Sequence, residues 1–227
     1  MRKITFALAL LAAVALPAGA QAKEVSSVAV CGPDSCRTIT DRSLLTQFEE
    51  SAGSSDLYVG PVAPAPFYTV RVTVDAEGQT FSWGAFYVPS GRVMRTTNEH
   101  NRASWRSMPR AEWTLFDSFA AGLTPFAVPA VTRATVGARA AVDPASYLGL
   151  YRLKRTRGAY PKRDYWLRIR LASGSPSPWT DGANLLRYNP RERLLERDGD
   201  YVRLPKRLAR DLGRAAALRF RTAIDVF

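Results

Sequence analysis

The sequence predicts an α+β fold assembled from an internally duplicated unit, each copy reading β-β-α, then a three-stranded antiparallel meander and a closing helix. Three observations carry that prediction. The stretches ASWRSMPRAEW (103–113) and GDYVRLPKRLA (199–209) share an aromatic four residues before a proline, Trp105 before Pro109 and Tyr201 before Pro205, with a basic residue directly after each proline. At both places the apolar spacing changes from two to about 3.6 residues, the step from a strand to a helix. The features around these corners also recur in the same order through most of both halves.

The first 22 residues read as an export leader. Arg2 and Lys3 precede the apolar run ITFALALLAAVAL, which is short for a membrane span, and Pro17 leads to small residues at a cleavage site expected after Ala22. The rest divides into a first copy at 23–125, a linker at 126–130 and a second copy at 131–227. Each is of a size that can bury a core.

The first copy begins with VAVCGPDSCRTIT, two β-rich runs around a Gly-Pro-Asp-Ser turn, and Asp41 then opens a helix. Cys31 and Cys36 face one another across that turn, and in an oxidising compartment the spacing predicts a structural disulfide. A redox pair would have two residues between the cysteines, not four. The second copy repeats the pattern as ATVGARAAVDPASYLGLY, with a shorter turn and a helix opened by Asp143 and Pro144. Aspartate suits both openings because its carboxylate can accept from unpaired backbone N–H groups.

The meanders follow. Val70, Val72 and Val74 alternate with Arg71 and Thr73, and a strand ending in YVPSGR comes after an Asp-Ala-Glu-Gly turn. In the second copy Leu167, Ile169 and Leu171 alternate with Arg168 and Arg170, and the corresponding strand ends in YNPRER. Trp83 and Trp179 stand at similar places in the two meanders, which predicts a shared core or turn role. The closing helices place Trp113, Phe116, Ala120 and Leu123 on one stripe and Ala209, Leu212 and Ala216 on the other, with Gly122 ending the first.

Charge separates the copies. Residues 23–130 hold nine Lys/Arg and eleven Asp/Glu, a net of −2, whereas residues 131–227 hold twenty-one and nine, a net of +12. A fold does not need that difference, which fits either a solvated face with some arginines paired to Asp198, Asp200 or Asp211, or contact with a partner. Arg203, Arg207, Arg210 and Arg214 recur at helical spacing opposite the Ala209 and Leu212 stripe, where the first copy has Ser107, Ala111, Thr114 and Ser118. Arg168 and Arg170 share a strand face with Trp166, and Lys154, Arg155, Arg157, Lys162 and Arg163 crowd the loop before it, among Tyr160 and Tyr165. Guanidinium forks grip oxyanions bidentately and rings add apolar contact, so these residues are the expected contact with an anionic envelope polymer or lipid surface. No nucleic-acid recognition motif is present.

Reactive chemistry has little support. His100, the only histidine, lies in the polar loop TTNEHNRAS near Glu99 and Ser104, without the strand-turn-helix frame of a nucleophile elbow. The second half has no acidic cluster beyond the turn ERDGD, where Asp198 and Asp200 read as hairpin residues. One histidine and one cysteine pair do not make a zinc site, and no cofactor is expected. The expected role is therefore a non-enzymatic binding or structural one in the cell envelope, with a secreted protease inhibitor and an extracellular hydrolase as the alternatives.

Two resemblances bear on these expectations. SPWTDGANLL and RDGDYVRLP are similar to stretches of uncharacterised secreted proteins of GC-rich Gram-positive bacteria, a likeness covering much of the second half that implies export and no activity. VAVCGPDSC and YTVRVTVDAEGQTFSWG resemble the secreted subtilisin-inhibitor family. That family's second disulfide and reactive-loop motif have no counterpart here, so the resemblance assigns no inhibitory residue.

Overall fold

Among the described residues, twelve strands form two six-stranded antiparallel sheets with the same connectivity. The computed structural model describes residues 23–52, 58–97, 100–156, 158, 159, 161 and 165–221, apart from the side chains of 52 and 215–221, so the expected leader at 1–22 lies outside the described residues. The first half runs β1 (Glu24–Cys31), β2 (Cys36–Ile39), α1 (Arg42–Ala52), β3 (Tyr68–Ala76), β4 (Gln79–Val88), β5 (Val93–Thr97), β6 (Ala103–Ser107) and α2 (Arg110–Ala120). The second runs β7 (Val131–Val136), β8 (Arg139–Ala140), a 3-10 helix (Pro144–Arg152), β9 (Leu167–Ser173), β10 (Leu186–Asn189), β11 (Leu194–Arg197), β12 (Asp200–Arg203) and α3 (Lys206–Arg221). In space the strands are ordered β2-β1-β3-β4-β5-β6 and β8-β7-β9-β10-β11-β12, one order shifted by six.

The correspondence reaches individual atoms. A β-bulge interrupts the β1–β3 register between Val25 and Ser27, and another interrupts β7–β9 between Val131 and Arg133. Beside the bulges, the Ser26 hydroxyl donates to the Thr73 carbonyl at 3.4 Å and the Thr132 hydroxyl to the Ala172 carbonyl at 3.3 Å. The turns before β5 and β11 each hold an arginine in the left-handed region, Arg92 and Arg193. Their carbonyls accept from Met108 and Leu204, one residue before each corner proline. Finally, the Tyr188 hydroxyl donates to the Ala209 carbonyl at 3.0 Å in the first turn of α3, and the Tyr87 hydroxyl, which donates to Asp117 at 2.5 Å, lies 3.5 Å from the Trp113 carbonyl in the first turn of α2. Each corner is thus fixed by a tyrosine on the sheet as well as by its proline.

Three expectations need correction. Each meander has four strands, not three, because ASWRS and DYVR are strands in their own right; each is short, and in sequence its few large side chains look like the lead-in to the helix. The segment opened by Asp143 is a 3-10 helix, and the Asp143 side chain makes no cap, whereas Asp41 does accept from the Leu44 N–H at 3.1 Å. Trp83 and Trp179 do not share a role: Trp83 is 40 % exposed on β4, and Trp179 is 1 % exposed. The predicted Cys31–Cys36 disulfide is present, on facing residues of β1 and β2.

One core fills the space between the first sheet and its helices, with Val30, Val70, Tyr87, Met94, Phe48 and Phe116 among its members. The other spans both halves, joining Phe67, Phe86, Val88 and Trp105 of the first to Ile169, Trp179, Tyr188, Leu195 and Leu212 of the second. The expected linker is pinned as well, since Phe126 stacks on Phe67 at 5.3 Å and the two exchange backbone hydrogen bonds. Removing this much apolar surface from water drives the halves together.

Candidate functional site

The sheets differ most at one place. In the first, β3 and β4 pair along their whole length, from Tyr68 opposite Tyr87 to Ala76 opposite Gln79. In the second, β9 pairs with β10 only as far as Ile169 opposite Leu186, while its pairing with β7 continues to Ser173. The chain between β9 and β10, which is rich in Ser, Gly and Pro, leaves the sheet instead of extending the hairpin. Beside the unpaired edge of β9 is a cavity of about 380 Å³, lined by Arg133, Thr135, Arg168 and Arg170 from the strands and by Trp179, Asp181 and Asn184 from the departing chain. That volume is within the range of small-molecule sites.

The departing chain is held firmly because it docks on the first half. Trp179 donates its indole N–H to the Val62 carbonyl at 2.9 Å, and Ala103 N–H donates to the Ala183 carbonyl at 3.0 Å. Arg95, 1 % exposed on β5, donates to Asp181 and to Asn184, each at 2.9 Å. The Asp181 carboxylate is thereby committed to a buried cation. It does not serve to neutralise the arginines of the cavity.

Those arginines are Arg133, Arg168 and Arg170, and among the described residues no ion pair or hydrogen bond holds their guanidinium groups. By register, Arg133 takes the place of Ser27 and Arg168 that of Thr69, while Arg170 corresponds to Arg71. The second half has more cations than the first where its sheet is open. In the wall of the same cavity Tyr151 is 2 % exposed, and its hydroxyl is buried without a hydrogen-bond partner. Burial and then Asp198 push its pKa well above the ordinary phenol value; Arg95, Arg197 and the nearby Asn184 oppose that rise, although no well-formed bond joins Asn184 to the hydroxyl.

The other expected contact residues are dispersed. Arg207 and Arg214 line a separate groove of about 650 Å³ together with Arg139, Leu208, Asp143 and Asp211. Arg210 is exposed on α3, and Arg203 lies at the end of β12, where it donates to the Glu192 carbonyl at 3.3 Å. Lys154 is exposed and Arg155 is 3.5 Å from Asp200, whereas Arg157, Lys162 and Arg163 lie outside the described residues. Arg187, Tyr151, Asn184 and Arg133 were not singled out in the sequence. Arg187 bonds Glu196 at 2.6 Å and covers the Trp166 ring at 4.7 Å, which occupies it structurally.

The hairpin Asp198 does more than turn the chain. Its carboxylate is buried, accepts from the Leu185 N–H at 2.7 Å and the Trp105 indole at 2.9 Å, and has a pKa raised to about 6, burial being the largest cause. His100 is exposed on its loop, and Glu99 lies outside the described residues. Among the described residues no cluster of three or more His, Cys, Asp or Glu is placed to hold a metal, and no helix is long and apolar enough to cross a membrane. No protein-family model, curated protein or solved structure matches the chain.

Proposed function

We propose that the chain is an exported binding protein of the cell envelope, made of two copies of one ancestral unit, whose second copy holds an anionic polymer. The first copy and its disulfide serve as the scaffold. The observation that carries this reading is the group of three arginines, Arg133, Arg168 and Arg170, which have no ion pair or hydrogen bond to their guanidinium groups among the described residues and line a cavity that opens where the second sheet departs from the first. Clustered like charges repel one another and add nothing to folding, so an external anion is their natural complement. The leader-like residues 1–22 and the Cys31–Cys36 disulfide support an extracytoplasmic setting.

The test is retention of the chain on isolated cell-wall polymer and on anionic phospholipid vesicles as salt is raised. Retention on the polymer should be strong at 0.1 M and largely lost at 1 M, as the screening length falls from about 10 Å to about 3 Å. Replacing the three arginines together with glutamine should weaken retention at least tenfold. Retention that ignores both salt and the triple substitution would overturn the reading, and retention on vesicles alone would overturn the polymer as partner.

A further inference from the structure

We infer that the cavity beside the open edge of β9 is a pocket for a single phosphate ester, an inference that rests on the anion-binding reading of the same site. Two independent features point to a discrete ligand and not only to a charged surface. The first is that Arg133, Arg168 and Arg170 all line one opening of about 380 Å³, with no ion pair or hydrogen bond to their guanidinium groups among the described residues. The second is the Tyr151 hydroxyl, buried in the wall of that opening with no hydrogen-bond partner. A buried polar group without a partner is costly, so it calls for an acceptor that the protein itself does not supply.

The donor count selects the ligand class. Three planar forks together with a phenol and the Thr135 hydroxyl offer more N–H and O–H groups than the two oxygens of a carboxylate can accept. A phosphate monoester presents three oxygens and up to two negative charges, which suits the arrangement better. The opening is larger than a phosphate, and the remaining wall includes Ile169, Leu171 and Trp179, which leaves room for the alcohol that carries the ester. A phosphate oxygen seated in the opening gives the Tyr151 hydroxyl an acceptor, with Asn184 still held by Arg95 and by the Pro178 carbonyl.

The first half serves as an internal control. At the corresponding positions it has Ser27, Thr69 and Arg71, and β4 runs beside β3 where the second half is open. Cations, opening and unsatisfied hydroxyl therefore occur together in one copy and not in the other.

The experiment is calorimetric titration of the chain with inorganic phosphate, methyl phosphate and, as controls, acetate and chloride at matched ionic strength, beside anionic phospholipid vesicles. Methyl phosphate should bind saturably at one site and at least tenfold tighter than acetate. Tyr151→Phe should weaken that binding at least fivefold without lowering the melting temperature, since the lost hydroxyl has no partner in the free protein. Equal affinity for methyl phosphate and acetate would overturn the pocket, as would an unaffected Tyr151→Phe variant or binding to vesicles alone. A pocket that fails while polymer retention survives sinks this inference only; loss of salt-dependent retention sinks the reading beneath it.

Discussion

The indole N–H of Trp105 and the carboxylate of Asp198, 93 residues apart, meet at 2.9 Å and join the two halves. Asp198 has its pKa raised from 3.8 to about 6, chiefly by burial. The folded chain therefore takes up this proton before the unfolded chain does, and the stabilisation is complete below about pH 4 and lost as pH rises through 6. Between pH 7 and pH 5 the melting temperature should rise, the gain in stability being on the order of 1 kcal/mol. Asp198→Ala should flatten that part of the profile, measured by thermal unfolding across pH.

The Arg95 guanidinium is buried, and its partner Asp181 is about one-third exposed at 2.9 Å. Asp181→Ala leaves a buried cation short of a counter-charge and should cost about 2 kcal/mol, less than a fully buried pair because solvent reaches the carboxylate. Adding Arg95→Met should recover part of that loss, since an apolar side chain needs no counter-charge. A double-mutant cycle by urea unfolding measures the coupling.

Gly199 turns β11 into β12 with a φ of +90°, and a Cβ there would come within 2.7 Å of the Tyr58 hydroxyl oxygen. Tyr58 donates that hydroxyl's proton to the Asp198 carbonyl, so it is not free to move away. Gly199→Ala should lower stability by about 2 kcal/mol from combined backbone strain and crowding. Pairing it with Tyr58→Phe should restore part of the loss.

The Cys31–Cys36 disulfide closes a turn of only a few residues. The unfolded-chain entropy removed by so small a loop is worth about 2 kcal/mol. Reduction, or Cys31→Ser with Cys36→Ser, should lower the melting temperature by several degrees and leave retention on anionic polymer at low salt unchanged, because the turn belongs to the first half.

The repeat could be read in one dimension because its signals are local. Period-two alternation at Val70, Val72 and Val74 and again at Leu167, Ile169 and Leu171, the corner prolines and the facing cysteines each depend on residues close in sequence. The fourth strand of each meander escaped that reading. It is five residues long at most, and its place was set by pairing with β5 or β11 across a turn.

By itself the sequence determined the α+β class, most of the order of the elements, the disulfide and the uneven charge, because alternation, turn chemistry and composition are properties of neighbouring residues. Only the tertiary structure decided that the second sheet stays open beside β9, that Arg133 joins Arg168 and Arg170 there, and that Tyr151 and Asp198 are buried. Those outcomes depend on how the chain carrying Trp179 docks on Val62, Arg95 and Ala103 of the other half. Contacts between residues tens of positions apart are fixed by packing and not by pattern, so no local signal announced them.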